Sequence, residues 1–262
     1  MLGCSSANAQ RTEVHAAVGM VDFGYKEFSD SGTLLDREDG LLPGLALEVA
    51  RRIGDWRLSG DARYFSGSAD YDGRTNFGTP IRTETDERMY SLSLRIAHEF
   101  RIGGWSIAPY AGYGYHRWQR DIKPTQTAGG APVSGLFEVY TWKAAEMGAL
   151  VQRSFLERFN AGVDLRVFRV LDPEVEVRFS SVFDNAQLAL GERSGVRVAL
   201  IGAYELDERL RLRLELYHEG WSFGRSSPQP LTSGGNATAV SVQEPRSDTR
   251  NTGLTLGLVF GF

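Results

Sequence analysis

The sequence predicts an all-β fold, an antiparallel up-and-down transmembrane β-barrel of about ten strands. Three observations predict it. Apolar and polar residues alternate with period two along most of the 262 residues, with no helical periodicity between. Connections alternate between short turns and long polar, Gly/Pro-rich segments. The final segment, GLTLGLVFGF, sets Leu254, Leu256, Leu258, Phe260 and Phe262 on one face against Gly253, Thr255, Gly257, Val259 and Gly261 on the other.

Strands are expected near 12–28, 41–53, 56–70, 84–100, 105–121, 138–155, 158–170, 187–206, 208–225 and 248–262. The first should shift face near Met20-Val21, as at a bulge. In the fourth, Tyr90, Leu92, Leu94, Ile96 and Phe100 oppose Ser91, Ser93, Arg95 and Glu99. The seventh sets Ala161, Val163, Leu165 and Val167 against Gly162, Asp164 and Arg166. In the eighth, Val196, Val198, Leu200, Tyr204 and Leu206 oppose Arg197, Ala199 and Glu205. RLRLRLELYHEGW gives the clearest pattern, with Leu210, Leu212, Leu214 and Leu216 against Arg211, Arg213 and Glu215. Short turns fall at 53–56, 100–105, 155–159 and 205–209, and long segments at 29–40, 71–83, 122–137, 171–186 and 226–247.

Composition sets limits. Charged residues are 24% and apolar residues 42%, and no apolar run reaches the about 18 residues of a membrane helix. A barrel remains open, because its strands bring only alternate residues to lipid. A formal net charge of -4 gives no basis for a nucleic-acid partner. The lysines are Lys26, Lys123 and Lys143, and every other basic residue is arginine, the side chain suited to bidentate pairing in a charged interior. Cys4 is the single cysteine, so no intramolecular disulfide forms. MLGCSSANAQ reads as the tail of an export signal cleaved after Ala9, with Leu2-Gly3-Cys4 as an alternative lipidation site. Residues 1–9 are therefore expected to be a signal remnant and 10–262 one barrel.

Alternation alone does not say which face meets lipid. The polar stripe is rich in glycine and alanine, including Ala108, Gly112, Gly114, Gly253, Gly257 and Gly261, which a solvated face does not need and a crowded lumen does. Aromatics gather at strand ends: Trp56, Phe100, Trp105, Phe155 and Phe159 near the short turns, and Tyr113, Tyr115, Trp118, Tyr140 and Trp142 near the long loops. Two lipid–water girdles would give that pattern. The last strand ends in phenylalanine. Together these features resemble the bacterial outer-membrane β-barrel superfamily. The resemblance implies short periplasmic turns, long extracellular loops, and insertion by the barrel-assembly machinery, with Leu258, Phe260 and Phe262 as its C-terminal signal. Outer-membrane lipid, lipopolysaccharide and an outer-membrane protein are the expected partners, and Arg117, Arg120 and Lys123 are candidates for lipopolysaccharide phosphates.

With leucines outward, the lumen should hold Glu48, Arg52, Arg57, Asp61, Arg63, Arg95, Glu99, Glu146, Asp164, Arg166, Arg197, Glu205, Arg211, Arg213 and Glu215. Mixed signs in a narrow bore favour a salt-bridged plug, with a charge-selective pore as the alternative. In strand number and size the chain is similar to the omptin proteases, whose resemblance implies two aspartates facing an Asp–His couple. Asp70 and Asp72 would supply the first pair, but 171–186 holds Asp172 and Asp184 with no histidine. His116 has inward phase and His218 outward phase. Asp30, Asp36, Glu38 and Asp39 are expected in the first long loop, as an acidic rim beside Asp70 and Asp72. No zinc, EF-hand, P-loop, dinucleotide or nucleophile-elbow pattern occurs, so neither cofactor nor metal is expected. The expected function is a non-enzymatic structural or surface-interaction barrel, with a narrow solute channel and then an omptin-like protease as alternatives.

Overall fold

A computed structural model of the protein describes residues 11–75, 78–155, 157–179 and 182–262. The expected signal remnant, with Cys4, lies outside them. In chain order the strands are β1 (Arg11–Phe28), β2 (Leu34–Ile53), β3 (Trp56–Arg74), β4 (Pro80–His98), β5 (Phe100–Ile102), β6 (Trp105–Ile122), β7 (Thr125–Gln126) and β8 (Pro132–Val133). They continue as β9 (Leu136–Phe155), β10 (Phe159–Phe179), β11 (Ala186–Ala189), β12 (Ser194–Glu205), β13 (Leu210–Phe223), β14 (Gln229–Ser233), β15 (Asn236–Val242) and β16 (Arg246–Gly261).

Ten of these form the wall, in the order β1-β2-β3-β4-β6-β9-β10-β12-β13-β16, every neighbour antiparallel. β16 pairs back onto β1 from Glu13↔Gly261 to Phe28↔Arg246, which closes the barrel and leaves neither strand an open edge. Alternation decides the faces. Leu254, Leu256, Leu258 and Phe260 are exposed on the outside, and Gly253, Thr255, Gly257, Val259 and Gly261 are buried inside. Exposed apolar side chains form a continuous outer belt whose upper edge runs through Met20, Leu41, Tyr64, Tyr90, Tyr115, Val167, Val196, Leu216 and Leu254. Above it the outward residues turn polar: Asp22, Arg88, Arg117, Arg169 and Arg250. The belt has the character of a lipid-facing band, and the strands continue beyond it as a projecting wall on the long-loop side.

Several boundaries differ from those expected. β2 begins at Leu34 and β4 at Pro80, so Asp36, Glu38 and Asp39 stand on a strand and not in a loop. β1 has no shift at Met20-Val21, since Ala17, Val21, Phe23 and Tyr25 are all buried on one face. A bulge occurs instead in β10, where Leu171 pairs Lys143 and Glu174 pairs Thr141. Pro173 has no amide hydrogen to leave unpaired there, and Asp172 takes φ 47°. β10 therefore passes the proline and reaches Phe179. Across from the bulge the expected 187–206 strand breaks into β11 and β12, and a single backbone bridge, Gly191 to Gly224, spans the gap toward β13. The last long loop folds as the hairpin β14–β15, with Gly234 (φ 58°) and Gly235 (φ 78°) at its turn. Their amides donate to Asp184 at 3.1 and 2.9 Å.

Candidate functional site

Every second residue of ten strands points into the bore, and register brings opposite charges level. At the periplasmic end Arg52 meets Glu99 at 2.6 Å and Arg211 meets Glu13 at 2.6 Å. Arg57 and Arg213 hold Glu48 from two walls at 2.7 and 3.0 Å. Higher up, Arg95 on β4 and Glu146 on β9 face the same β6 residue, Gly112. Because Gly112 has no side chain, Arg95 reaches over it to Glu146 at 2.7 Å, and a Cβ there would sit 2.7 Å from Arg95 Cγ.

The pairs join into a ring. Glu215 accepts from Arg63 at 3.2 Å, Arg63 meets Asp61 at 3.9 Å, and Asp61 pairs with Arg95. Arg95 leads to Glu146, Glu146 to Arg166 at 3.1 Å, and Arg166 to Glu219 at 3.8 Å. Arg197 then binds Glu219 at 2.9 Å and closes on Glu215. Four arginines and four carboxylates alternate around the circuit, drawn from β3, β4, β9, β10, β12 and β13. Each guanidinium has two carboxylate partners, which offsets the desolvation that makes a lone buried charge costly.

Above the circuit lies an aromatic layer. His116 stacks on Trp142 at 4.9 Å and 4°, Trp142 meets Phe223 edge-on at 5.2 Å, Phe223 stacks on Tyr140 at 5.7 Å, and Tyr140 stacks on Trp118 at 4.9 Å. Phe23 and Tyr25 of β1 close on Trp118 edge-on at 5.7 and 5.1 Å. A cavity of about 70 Å³ remains between the layers, bordered by His116, Trp142, Phe168, Tyr217, Trp221 and Asn251.

The projecting wall encloses a third layer around Arg120. Its guanidinium reaches Glu138 at 2.6 Å, Glu38 at 2.8 Å and Glu27 at 3.3 Å, lies 4.0 Å from Glu87, and covers the Tyr25 ring at 4.2 Å. Asp36 accepts from Tyr71 at 3.5 Å, and Glu244 accepts from Tyr140. Burial, reinforced by neighbouring carboxylates, holds the Asp36, Glu87 and Glu244 carboxyls well above the usual range. The same cause outweighs Arg120 and pushes Glu138 up to about 7.

A family model for the autotransporter β-domain matches residues 38–217. The chain belongs to the autotransporter β-domain family. Among solved structures, this autotransporter β-domain is similar to the outer membrane protease OmpT from Escherichia coli, at 11% identity, 98% coverage of both chains and a TM-score of 0.67. The translocator domain of autotransporter NalP from Neisseria meningitidis aligns at 10% identity over 97% of this chain and 90% of that one, with a TM-score of 0.47. The outer membrane protein OprG from Pseudomonas aeruginosa aligns at 12% identity over 97% and 96%, with a TM-score of 0.42. The OmpT likeness concerns the fold. Comparison with curated protein sequences finds no match.

Of the charged residues expected in the lumen of this autotransporter β-domain, all but Glu99 lie on the inward faces of strands, and Glu99 lies between β4 and β5, where it meets Arg52. Asp164 accepts from Tyr110 at 2.8 Å, and Asn160 donates to Glu205 at 3.5 Å. Leu258, Phe260 and Phe262 face outward, with Phe260 and Phe262 edge to face at 4.8 Å. Asp70 and Asp72 stand on β3 and point away from the lumen, Asp72 toward Arg82 at 3.4 Å. His116 faces the lumen, and His218 faces out beside Thr252. The omptin-type constellation is therefore not assembled by these residues. Two expectations need correction. Trp118, Tyr140 and Trp142 are interior residues, not girdle residues, and Arg120 is 1% exposed and cannot meet lipopolysaccharide. Their alternation already showed it, since Trp118 and Arg120 share parity with Gly112 and Gly114. Glu27, Glu87, Glu138 and Glu244 were not singled out by sequence, although Glu138 shares parity with Glu146.

Proposed function

We propose that the protein is an integral outer-membrane barrel with a sealed lumen, serving as a non-enzymatic scaffold that presents its extracellular end for surface interaction. The closed circuit of Asp61, Arg63, Arg95, Glu146, Arg166, Glu219, Arg197 and Glu215 carries this reading. It spans the bore with the aromatic layer above it, two successive layers that speak against a continuous polar path for a solute or an extended chain. The outward aspect of Asp70 and Asp72 speaks against an omptin-like hydrolase. Outer-membrane lipid and lipopolysaccharide are the surroundings proposed for the belt, with Arg88 and Arg117 facing out just above it. Insertion by the assembly machinery through Leu258, Phe260 and Phe262, and docking of an outer-membrane protein partner, belong to the same proposal.

The test is single-channel recording of the refolded protein in a planar bilayer, after a heat-dependent gel shift has confirmed folding. Electrical silence is the expected result. Reproducible conductance steps altered by Arg211→Ala or Arg213→Ala would replace the scaffold with a channel.

A further inference from the structure

Six carboxyl groups gather in the projecting wall: Glu27, Glu38, Glu87 and Glu138 reach the guanidinium of Arg120, Asp36 stands across from Glu27, and Glu244 accepts from Tyr140. They come from β1, β2, β4, β9 and the segment before β16, while β6 supplies the cation. The other titratable groups facing them are Tyr25 on β1, Tyr71 on β3 and Tyr140 on β9. Fully ionised, six buried carboxylates beside one guanidinium would repel one another.

The unpaired atoms show how the charge is reduced. Glu38 has no accessible surface, and its Oε1 accepts from Thr85 at 2.9 Å and from Arg120, yet its Oε2 has no partner. Glu87 is equally buried. Its Oε2 accepts from Trp118, and its Oε1 lies 4.0 Å from Arg120 Nε without a hydrogen-bond partner. The two carboxyls flank one guanidinium, at 2.8 and 4.0 Å from Arg120. One proton on Glu87 Oε1, donated to Glu38, satisfies both orphan atoms and removes one charge. Asp36, whose Oδ1 also lacks a hydrogen-bond partner, is the cross-strand neighbour of Glu27 in the β1–β2 ladder. Among the described residues no three acidic or imidazole groups converge as metal ligands, so a shared proton fits this geometry better than a metal ion.

We propose that this cluster is a proton-controlled clasp: protons shared by Glu87 with Glu38 and by Asp36 with Glu27 hold β1, β2 and β4 together at the extracellular end, and their loss at alkaline pH opens it. Arg120 has anionic partners on β1, β2 and β9, so it serves as the hub of the clasp. The linkage sign follows from burial. Carboxyls raised above their unfolded values bind more protons when closed than when open, so closure is fully favoured below the ordinary carboxylate range. It weakens as pH rises above that range, the share of Glu138 being lost by about 7 and the shares of Asp36, Glu87 and Glu244 at higher pH.

Hydrogen exchange of the full chain in lipid nanodiscs tests this, with intrinsic exchange rates divided out. Peptides covering 22–40 and 80–88 report the clasp, and 90–98 and 254–260 report the lipid band. Opening at the outer peptides should increase from about pH 6 to about pH 9, approaching tenfold per pH unit for each proton released. Glu87→Gln should flatten that slope by about one proton and leave the band peptides unchanged. Should Glu87→Gln not fold, Glu138→Gln must flatten the slope between the ordinary carboxylate range and about pH 7 in the same way. Outer peptides indifferent to pH, or an unaltered slope in the folded variant, would overturn the clasp. So would a change in protection between added calcium and a chelator at one pH, since a metal ion would then balance the charge. The readout is independent of conductance, so the clasp and the sealed lumen stand or fall separately.

Discussion

Removing the Glu146 side chain tests the circuit where it is most constrained. Glu146 is 3% exposed and accepts from Arg95 at 2.7 Å and Arg166 at 3.1 Å, with Ser93 at 3.5 Å. In Glu146→Ala, Arg95 keeps Asp61, but Arg166 is left with Glu219 at 3.8 Å. Truncating one partner of a buried ion pair costs about 3–5 kcal/mol, and the two surviving partners place this case near the lower end, about 3 kcal/mol. Glu146→Gln keeps an acceptor without the charge and should lose about half as much. Reversible urea unfolding in lipid vesicles, followed by tryptophan emission and unheated gel mobility, reads the difference. With a slope of about 1–3 kcal/mol per molar urea, the midpoint should fall by about 1–3 M. Replacing Glu146 and Arg166 together by methionine should recover much of the loss, because no charge is then left unpaired at that point. Were Glu146→Ala to unfold within about 0.5 kcal/mol of the parent, the circuit would not be holding the barrel together.

Two further outcomes follow from individual positions. Gly253 lies against Tyr217, and a Cβ there would overlap the ring, so Gly253→Ala should destabilise by about 1–3 kcal/mol in the same titration. Asp72→Asn breaks an exposed pair with Arg82 and should move stability by no more than about 0.5 kcal/mol, with no change in the unheated gel band.

Much of the barrel was legible because lipid contrast is strong. Where Leu212 and Leu214 meet hydrocarbon and Arg213 meets the bore, period two marks both the strand and its faces. Above the belt the outward face turns polar, and Asp36-Arg37-Glu38-Asp39 has no apolar member to betray its alternation, so a strand read as a loop. The Asp172-Pro173 pair read as a stop for a similar reason, since a bulge is set by the neighbouring strand and not by local composition. The lumenal charges were legible as a set but not as a circuit, because which arginine meets which carboxylate depends on register across six strands. Aromatic residues near strand ends are ambiguous in kind. Tyr113 and Tyr115 face outward, whereas Trp118, three residues on, is fully buried, and parity distinguishes them where position does not.

The wall is not equally strong all the way round. Most neighbouring strands are joined by long ladders of backbone hydrogen bonds, but above the β10 bulge the stretch between β11 and β13 is bridged by Gly191 and Gly224 alone among paired backbone positions, at 3.0 and 2.7 Å. Their backbones approach so closely that a Cβ on either would lie within 3 Å of the other. Any side chain introduced there acts as a wedge. The tube thus has a seam among the described residues, and Asp184, just before β11, is tied to the hairpin β14–β15 through Thr232, Gly234 and Gly235.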